Sequence, residues 1–199
     1  MPEVLFAIPG DIRSPTGGYA FDRRVMQLLP DFGITVYHVP LSANFPNPTA
    51  ADLKEARKLL AEAPEGAVTI IDGLAYGAFT EDVLASLKGR VIALVHHPLF
   101  LETGLPHARK VELKASETAA LKRANKIIVT SWASKNIVVE HLDADRNKVT
   151  VAEPGTDPAP RATGTGAPFN ILAVGAVVPR KAYDVLVTAL APLTDLDWR

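Results

Sequence analysis

The feature that most constrains this chain is a repeated alternation. Short apolar runs rich in β-branched residues recur with amphipathic segments between them: VLFAIPG from Val4, ITVYHVPL from Ile34, AVTIIDGL from Ala67, RVIALVHH from Arg90, KIIVTS from Lys126, KVTVAEPG from Lys148 and NILAVGA from Asn170. Each run is nearly continuous in its hydrophobicity. A strand with one wet face alternates polar and apolar residues, whereas a strand buried on both faces does not, so the runs predict a parallel sheet covered on both sides. Strand and helix alternate five times without a break, and the expected class is α/β with a doubly wound, Rossmann-like sheet.

The intervening segments carry helical spacing. Phe21, Val25, Leu28, Leu29 and Phe32 fall on one face of a first helix that Gly33 ends. Thr49 and Asp52 form a variant capping box ahead of Leu53, Ala56, Leu60 and Ala63. Thr80 with Val83, Leu84 and Leu87 marks a shorter third helix. Leu113, Ala120, Leu121 and Ala124 mark a fourth, and Ile137, Val138 and Leu142 a fifth.

Composition shifts once. The segment from Glu153 to Phe169 holds four prolines and three glycines with no long apolar run, which reads as a linker. The expected organisation is a Rossmann-like domain over 1–160, a linker over 161–169, and a first strand-helix unit of a further domain over 170–199. A single strand-helix unit cannot bury its own faces.

Charge and cysteine usage narrow the function classes. The chain of 199 residues has 22 acidic and 21 basic side chains, a net charge of -1, so nothing electrostatic points to nucleic acid as a partner. It has no cysteine, which removes disulfides and thiolate chemistry. No run approaches the roughly 20 apolar residues that span a bilayer, and no basic region precedes the first apolar run, so the expected location is the cytoplasm.

In an open α/β sheet, ligands sit at the carboxyl ends of the strands, where loops lead into helix N-termini. Five segments lie there. The loop IPGDIRSPTGGY carries Gly10, Gly17 and Gly18 at the start of the first helix, where bare N–H groups and the helix dipole favour a phosphate. It lacks both Gly-x-Gly-x-x-Gly and the Lys-Ser/Thr of a P-loop, and a ligand-free glycine turn is an equal reading of it. LVHHPLFLETGL ends the fourth strand with His96 and His97 and continues to Glu102. Adjacent strand side chains point to opposite faces, so one histidine at most serves a given site and a two-histidine metal centre is not expected. A structural histidine and a solvated glutamate are the plain alternatives. Asp72 ends the third strand and Ser131 the fifth, positions equally suited to turn and cap chemistry. AVGAVVPRKAYDVL places Arg180 and Lys181 at a helix start, where two cations oppose the dipole and call for an anion, or stand as a solvated basic turn.

Together and in this order, these segments resemble the retaining GT-B glycosyltransferases of family four, the "glycosyl transferases group 1" type. TGGYAFDRRVMQLLPDFGITV matches the family's opening Gly-Gly loop and helix. VHHPLFLETGL matches its histidine loop, KIIVTSWASKNIV its strand-helix, and PGTD at Pro154 to Asp157 its turn near the domain junction. Gly175 through Lys181 match the spacing of a Gly-Arg-x-x-x-x-Lys-Gly motif, with Ala176 in place of the usual Arg and Ala182 in place of the closing Gly. The family's Glu-x7-Glu segment falls beyond Arg199, so the chain is expected to be an N-terminal fragment, one half of a GT-B fold plus the start of the other, and inactive by itself.

The resemblance implies a hexosyltransferase that moves a sugar from a nucleotide-diphosphate sugar to an acceptor hydroxyl with retention of configuration. It implies His97 or His96 as the hydrogen-bond partner of the donor sugar. Gly17 and Gly18 would contact the diphosphate or the reacting sugar through their backbone, and Lys181, with Arg180 in reserve, would carry phosphate charge. Asp72, Tyr76 and Glu102 would recognise the acceptor. No metal or cofactor is implied. The partners would be the nucleotide-sugar donor and a sugar, lipid or polysaccharide-precursor acceptor, with peripheral membrane proximity in the full-length protein. Two other classes compete. A Rossmann-type oxidoreductase or epimerase would need a glycine fingerprint and an acid ending the second strand, which here ends in HVPLS. A non-catalytic binding module would need neither.

Overall fold

The computed structural model describes residues 2–164 and 166–199, in two compact units, Met1–Pro154 and Gly155–Arg199. The first is an α/β sandwich. Six strands, β1 (Glu3–Pro9), β2 (Thr35–Leu41), β3 (Val68–Asp72), β4 (Arg90–Val95), β5 (Lys126–Val129) and β6 (Val149–Val151), form one sheet in the order β2-β1-β3-β4-β5-β6. All five pairings are parallel. The first six apolar runs are these strands.

Helices α1 (Gly17–Leu28), α2 (Ala50–Ala61), α4 (Glu81–Ser86), α5 (His107–Arg123) and α6 (Trp132–His141) make the crossovers, with a one-turn α3 (Gly73–Tyr76) directly after β3. Thr49 caps α2 as its spacing predicts. Its hydroxyl accepts the Asp52 N–H at 3.3 Å, while the Asp52 carboxylate accepts the Thr49 N–H at 2.7 Å.

The strand order reverses direction between β1 and β3. The chain steps outward from β1 to β2, then returns past β1 and proceeds the other way to β6. Right-handed crossovers therefore place α1 alone on one face and the later helices on the other. The core divides accordingly. Val4, Phe6, Ile8, Ile70 and Leu94 pack with Phe21, Val25 and Met26 of α1. Ala7, Ile71, Ala93, Val95, Ile127 and Val129 pack with Ala56, Leu60, Val83, Leu113, Leu121 and Val138 of the other helices. Alternate residues of the same strands thus serve opposite layers, which is why the runs show no polar phase.

Within Gly155–Arg199, the expected helix forms as α7 (Tyr183–Leu190). The expected strand over 170–176 does not form. Phe169 instead makes an isolated parallel bridge with Trp198 at the chain's last residues. A strand is held by its neighbours, and a lone βα segment offers none. None of the described residues of this unit is buried. Among the described residues no helix is long and apolar enough to cross a membrane.

Candidate functional site

The reversal of strand order between β1 and β3 opens the carboxyl edge of the sheet, and three loops meet there. Side-chain parity decides what they present. Ile70 and Leu94 face α1, so Asp72 and His96, each two residues further, face α1 as well. His97 is one residue out of phase and turns to the other side.

α1 supplies the third member. Thr16 caps it, its hydroxyl accepting the Tyr19 N–H at 3.2 Å, and the first helical bond runs from the Ala20 N–H to the Thr16 carbonyl. The N–H groups of Gly17 and Gly18 precede that bond and point out of the helix end. Tyr19 ties the helix to β1 by donating to the Pro9 carbonyl at 2.6 Å, and Arg23 draws in the loop by donating to the carbonyls of Ile12 and Ser14. One turn along, Asp22 is fully buried. Its Oδ1 lies 2.9 Å from His96 Nε2, and Asp72 Oδ2 lies 3.8 Å from the same nitrogen. Asp72 Oδ1 also accepts the Leu74 N–H at 2.7 Å, capping α3.

Burial pushes the Asp72 carboxyl up, as does the charge of Asp22, and the His96 charge and the Leu74 N–H offset part of this, leaving it near pH 6 at about 6. For His96, burial works against the charged ring, but the Asp22 hydrogen bond and the charges of Asp22 and Asp72 outweigh it and raise its pKa above the ordinary histidine value. Tyr19 is raised by burial and by the neighbouring carboxylates of Asp72, Asp22 and Asp11. One ligand atom each from Asp22, Asp72 and His96 lies within 4.8 Å of the others, close enough to surround a cation. Nε2, however, is turned onto Asp22 at hydrogen-bond distance, and the arrangement is an acid–imidazole–acid array closed on itself.

The other expected residues divide. Gly18 abuts the array: a Cβ there would meet His96 Cδ2 at 3.3 Å. A Cβ at Gly17 would meet nothing within 4 Å. His97 is not part of the array, and its Nε2 is buried without a hydrogen-bond partner among the described residues. Tyr76 is 1% exposed, stacks edge-on with Phe79 in the core, and borders a cavity with Arg123 and Asn125 near the start of β4, away from the carboxyl edge. Glu102 is exposed and accepts the Thr103 N–H at 3.2 Å. In the second unit, Arg180 and Lys181 are exposed on a 3-10 turn, and the Lys181 Cδ comes within 3.6 Å of where a Gly175 Cβ would sit.

Two residues escaped sequence reasoning. Asp22 was readable in principle, because Gly18, Asp22, Val25 and Leu29 share one helical stripe, and a carboxylate on an inward stripe is an anomaly. Glu117 of α5 is the other. It is buried, and its two carboxylate oxygens accept the N–H groups of Leu99 and Phe100 at 2.7 and 2.9 Å, clasping the turn that follows the histidines.

A second concavity, of about 380 Å³, lies among the loops after β2 and β3 and the first turns of α5, lined by Asn47, Thr80, Arg109, Glu112 and Ser116. Arg109 donates to Asn47 at 2.9 Å and to the Pro46 carbonyl at 3.2 Å, holding this wall together.

No curated protein matches the chain. The model of a protein family does, over residues 11–160, a span that takes in α1, the Asp22–His96–Asp72 array and all of the sheet from β2 to β6. With that span covering most of the chain, and with the parallel sheet that the apolar runs predicted, the chain belongs to Glycosyltransferase Family 4.

Proposed function

We propose that the protein transfers a sugar from a nucleotide-diphosphate sugar to an acceptor hydroxyl with retention of configuration. The observation that carries this reading is His96. It is the one member of the array with appreciable exposed surface, its side chain 20% exposed beside two sealed carboxylates and next to Gly18 at the head of α1. A cation held there supplies a hydrogen bond to an anionic or hydroxyl-rich ligand. The departing diphosphate is the charge that such a reaction must stabilise, and helix N–H groups with fixed cations do so without reorganisation. The N–H groups of Gly17 and Gly18 serve the diphosphate, and within the second unit Lys181, seconded by Arg180, is the carrier of phosphate charge.

The acceptor falls to the exposed Glu102 loop and to the polar concavity around Asn47 and Arg109. Asp72 and Tyr76 are sealed and contribute from beneath, Asp72 through His96. The chain's own cations take the place of a metal, so a chelator should leave turnover intact.

The test is calorimetric titration of the protein with nucleotide diphosphates and nucleotide sugars, followed by assignment of the product's anomeric configuration. Lys181→Ala should weaken nucleotide-diphosphate binding about tenfold, the worth of one charge-assisted contact at roughly 1.4 kcal/mol, and leave acceptor binding in place. Unchanged donor affinity would remove Lys181 from the site, and an inverted product would refute retention.

A further inference from the structure

Asp22 does nothing for a substrate directly, because its side chain has no exposed surface, and Asp72 is only 2% exposed. Both act on His96. Nε2 of that ring is committed to Asp22 Oδ1 at 2.9 Å, while Nδ1 makes no hydrogen bond among the described residues. Asp22 Oδ2 is buried with no hydrogen-bond partner among the described residues. A buried carboxylate with one oxygen unsatisfied is costly unless a positive charge sits beside it, and His96, with Nε2 at 2.9 Å from Oδ1, is placed to supply one. The ring is also sterically fixed. The Phe21 ring stands edge-on to it at 5.4 Å between centroids, and the Gly18 backbone closes the opposite approach.

We propose that Asp22 is a positioning residue that holds His96 as an oriented imidazolium, committing Nε2 inward so that Nδ1–H is the donor offered to an oxygen of the sugar or diphosphate, with Asp72 as the weaker second anion. This rests on the reading of His96 as the donor-substrate contact. Two elements supply the groups that face the ring. From α1 they are Asp22, Phe21 and Gly18, and from the end of β3, Asp72. From the end of β5, the Thr130 hydroxyl reaches the His96 carbonyl at 3.5 Å and carries no charge. Tyr19 is occupied by the Pro9 carbonyl, and Arg23 by the carbonyls of Ile12 and Ser14. The two carboxylates are therefore the charges that set the state of the ring.

The experiment is a nitrogen NMR titration of the histidine side chains in the whole chain, with His96 assigned through His96→Gln. In the wild type at pH 7, both ring nitrogens of His96 should read as protonated, with Nε2–H protected from exchange. A neutral ring at pH 7 overturns the proposal without reference to any variant. In Asp22→Asn, which keeps an acceptor oxygen and removes the charge, the midpoint should fall by about 1 unit or more, as for loss of an adjacent opposite charge. In Asp72→Asn it should fall by less. A midpoint unmoved in Asp22→Asn, or a larger fall in Asp72→Asn, also overturns it. The titration needs no donor, so its outcome is separate from that of the transferase reading. A charged, Asp22-dependent His96 alongside donor affinity unchanged in His96→Gln would sink the substrate contact and leave the role of Asp22 standing.

Discussion

Gly17 and Gly18 are neighbours in the sequence with opposite surroundings, and substitution separates them. In Gly18→Ala the new methyl presses on an imidazole that cannot yield, since Asp22 and Phe21 hold it from behind. The His96 resonances should shift in the absence of donor as well as in its presence, and donor binding should weaken. In Gly17→Ala the methyl enters open space, so the melting temperature should hold or rise slightly, because alanine is the better helix former. Donor affinity alone should fall, since that open space is where the diphosphate is proposed to approach the backbone. Equal loss of donor binding and stability in both variants would contradict this division. At this scale the sequence was only partly legible. The pair His96–His97 could be located, but which ring enters the site depends on strand register to a single residue, and register is set by the packing of Ile70 and Leu94 beneath α1. Asp22 was overlooked because it adjoins Arg23 and Arg24 and reads as part of a charged helix flank.

The element on which the site leans most is the short turn after β4, where Leu99–Leu101 form a 3-10 helix. Glu117 holds it across a gap of 17 and 18 residues, and Ser116 beside it donates to the Gly77 carbonyl at 2.6 Å. Gly77 must be glycine here, as a Cβ would stand 2.8 Å from Glu117 Cγ. Burial raises the Glu117 carboxyl to about 7, with the two N–H groups working against the rise. Its folded value thus exceeds its unfolded value of 4.5, so the folded chain holds the extra proton between them. The contribution of this group to stability is complete below about 4.5, declines as pH rises, and is lost on passing 7. Denaturant midpoints measured across that interval should carry this slope, and Glu117→Gln should abolish it. The same variant should lose about 1–3 kcal/mol, because an amide accepts one N–H and leaves the other unsatisfied. A slope of opposite sign would rule the assignment out. Elements were the most legible scale, since six apolar runs and five periodic segments became strands and crossover helices. The seventh run, NILAVGA, shows the limit of that reading: hydrophobicity announces a strand, but only a hydrogen-bonding neighbour makes one.

The whole molecule divides into a unit with a core and a unit without one. Val4 through Val149 supply every buried apolar side chain among the described residues, and Leu172 and Val174 lie exposed beyond them. Residues 1–154 should therefore unfold cooperatively on their own, with a melting temperature within a few degrees of that of the whole chain. Brief trypsin treatment should cut first after Arg161, which lies in exposed chain without regular structure. An early cut inside residues 1–154 would argue against this division. The strand order has one further consequence. Its two outer members are β2 and β6, and a parallel sheet with open sides is a template for a second chain. β2 carries the exposed Pro40, which has no N–H to offer an incoming strand, and β6 is only three residues long. The same strand order that reverses at the centre of the sheet leaves its flanks poor in docking groups, so that concentrated protein should stay dispersed.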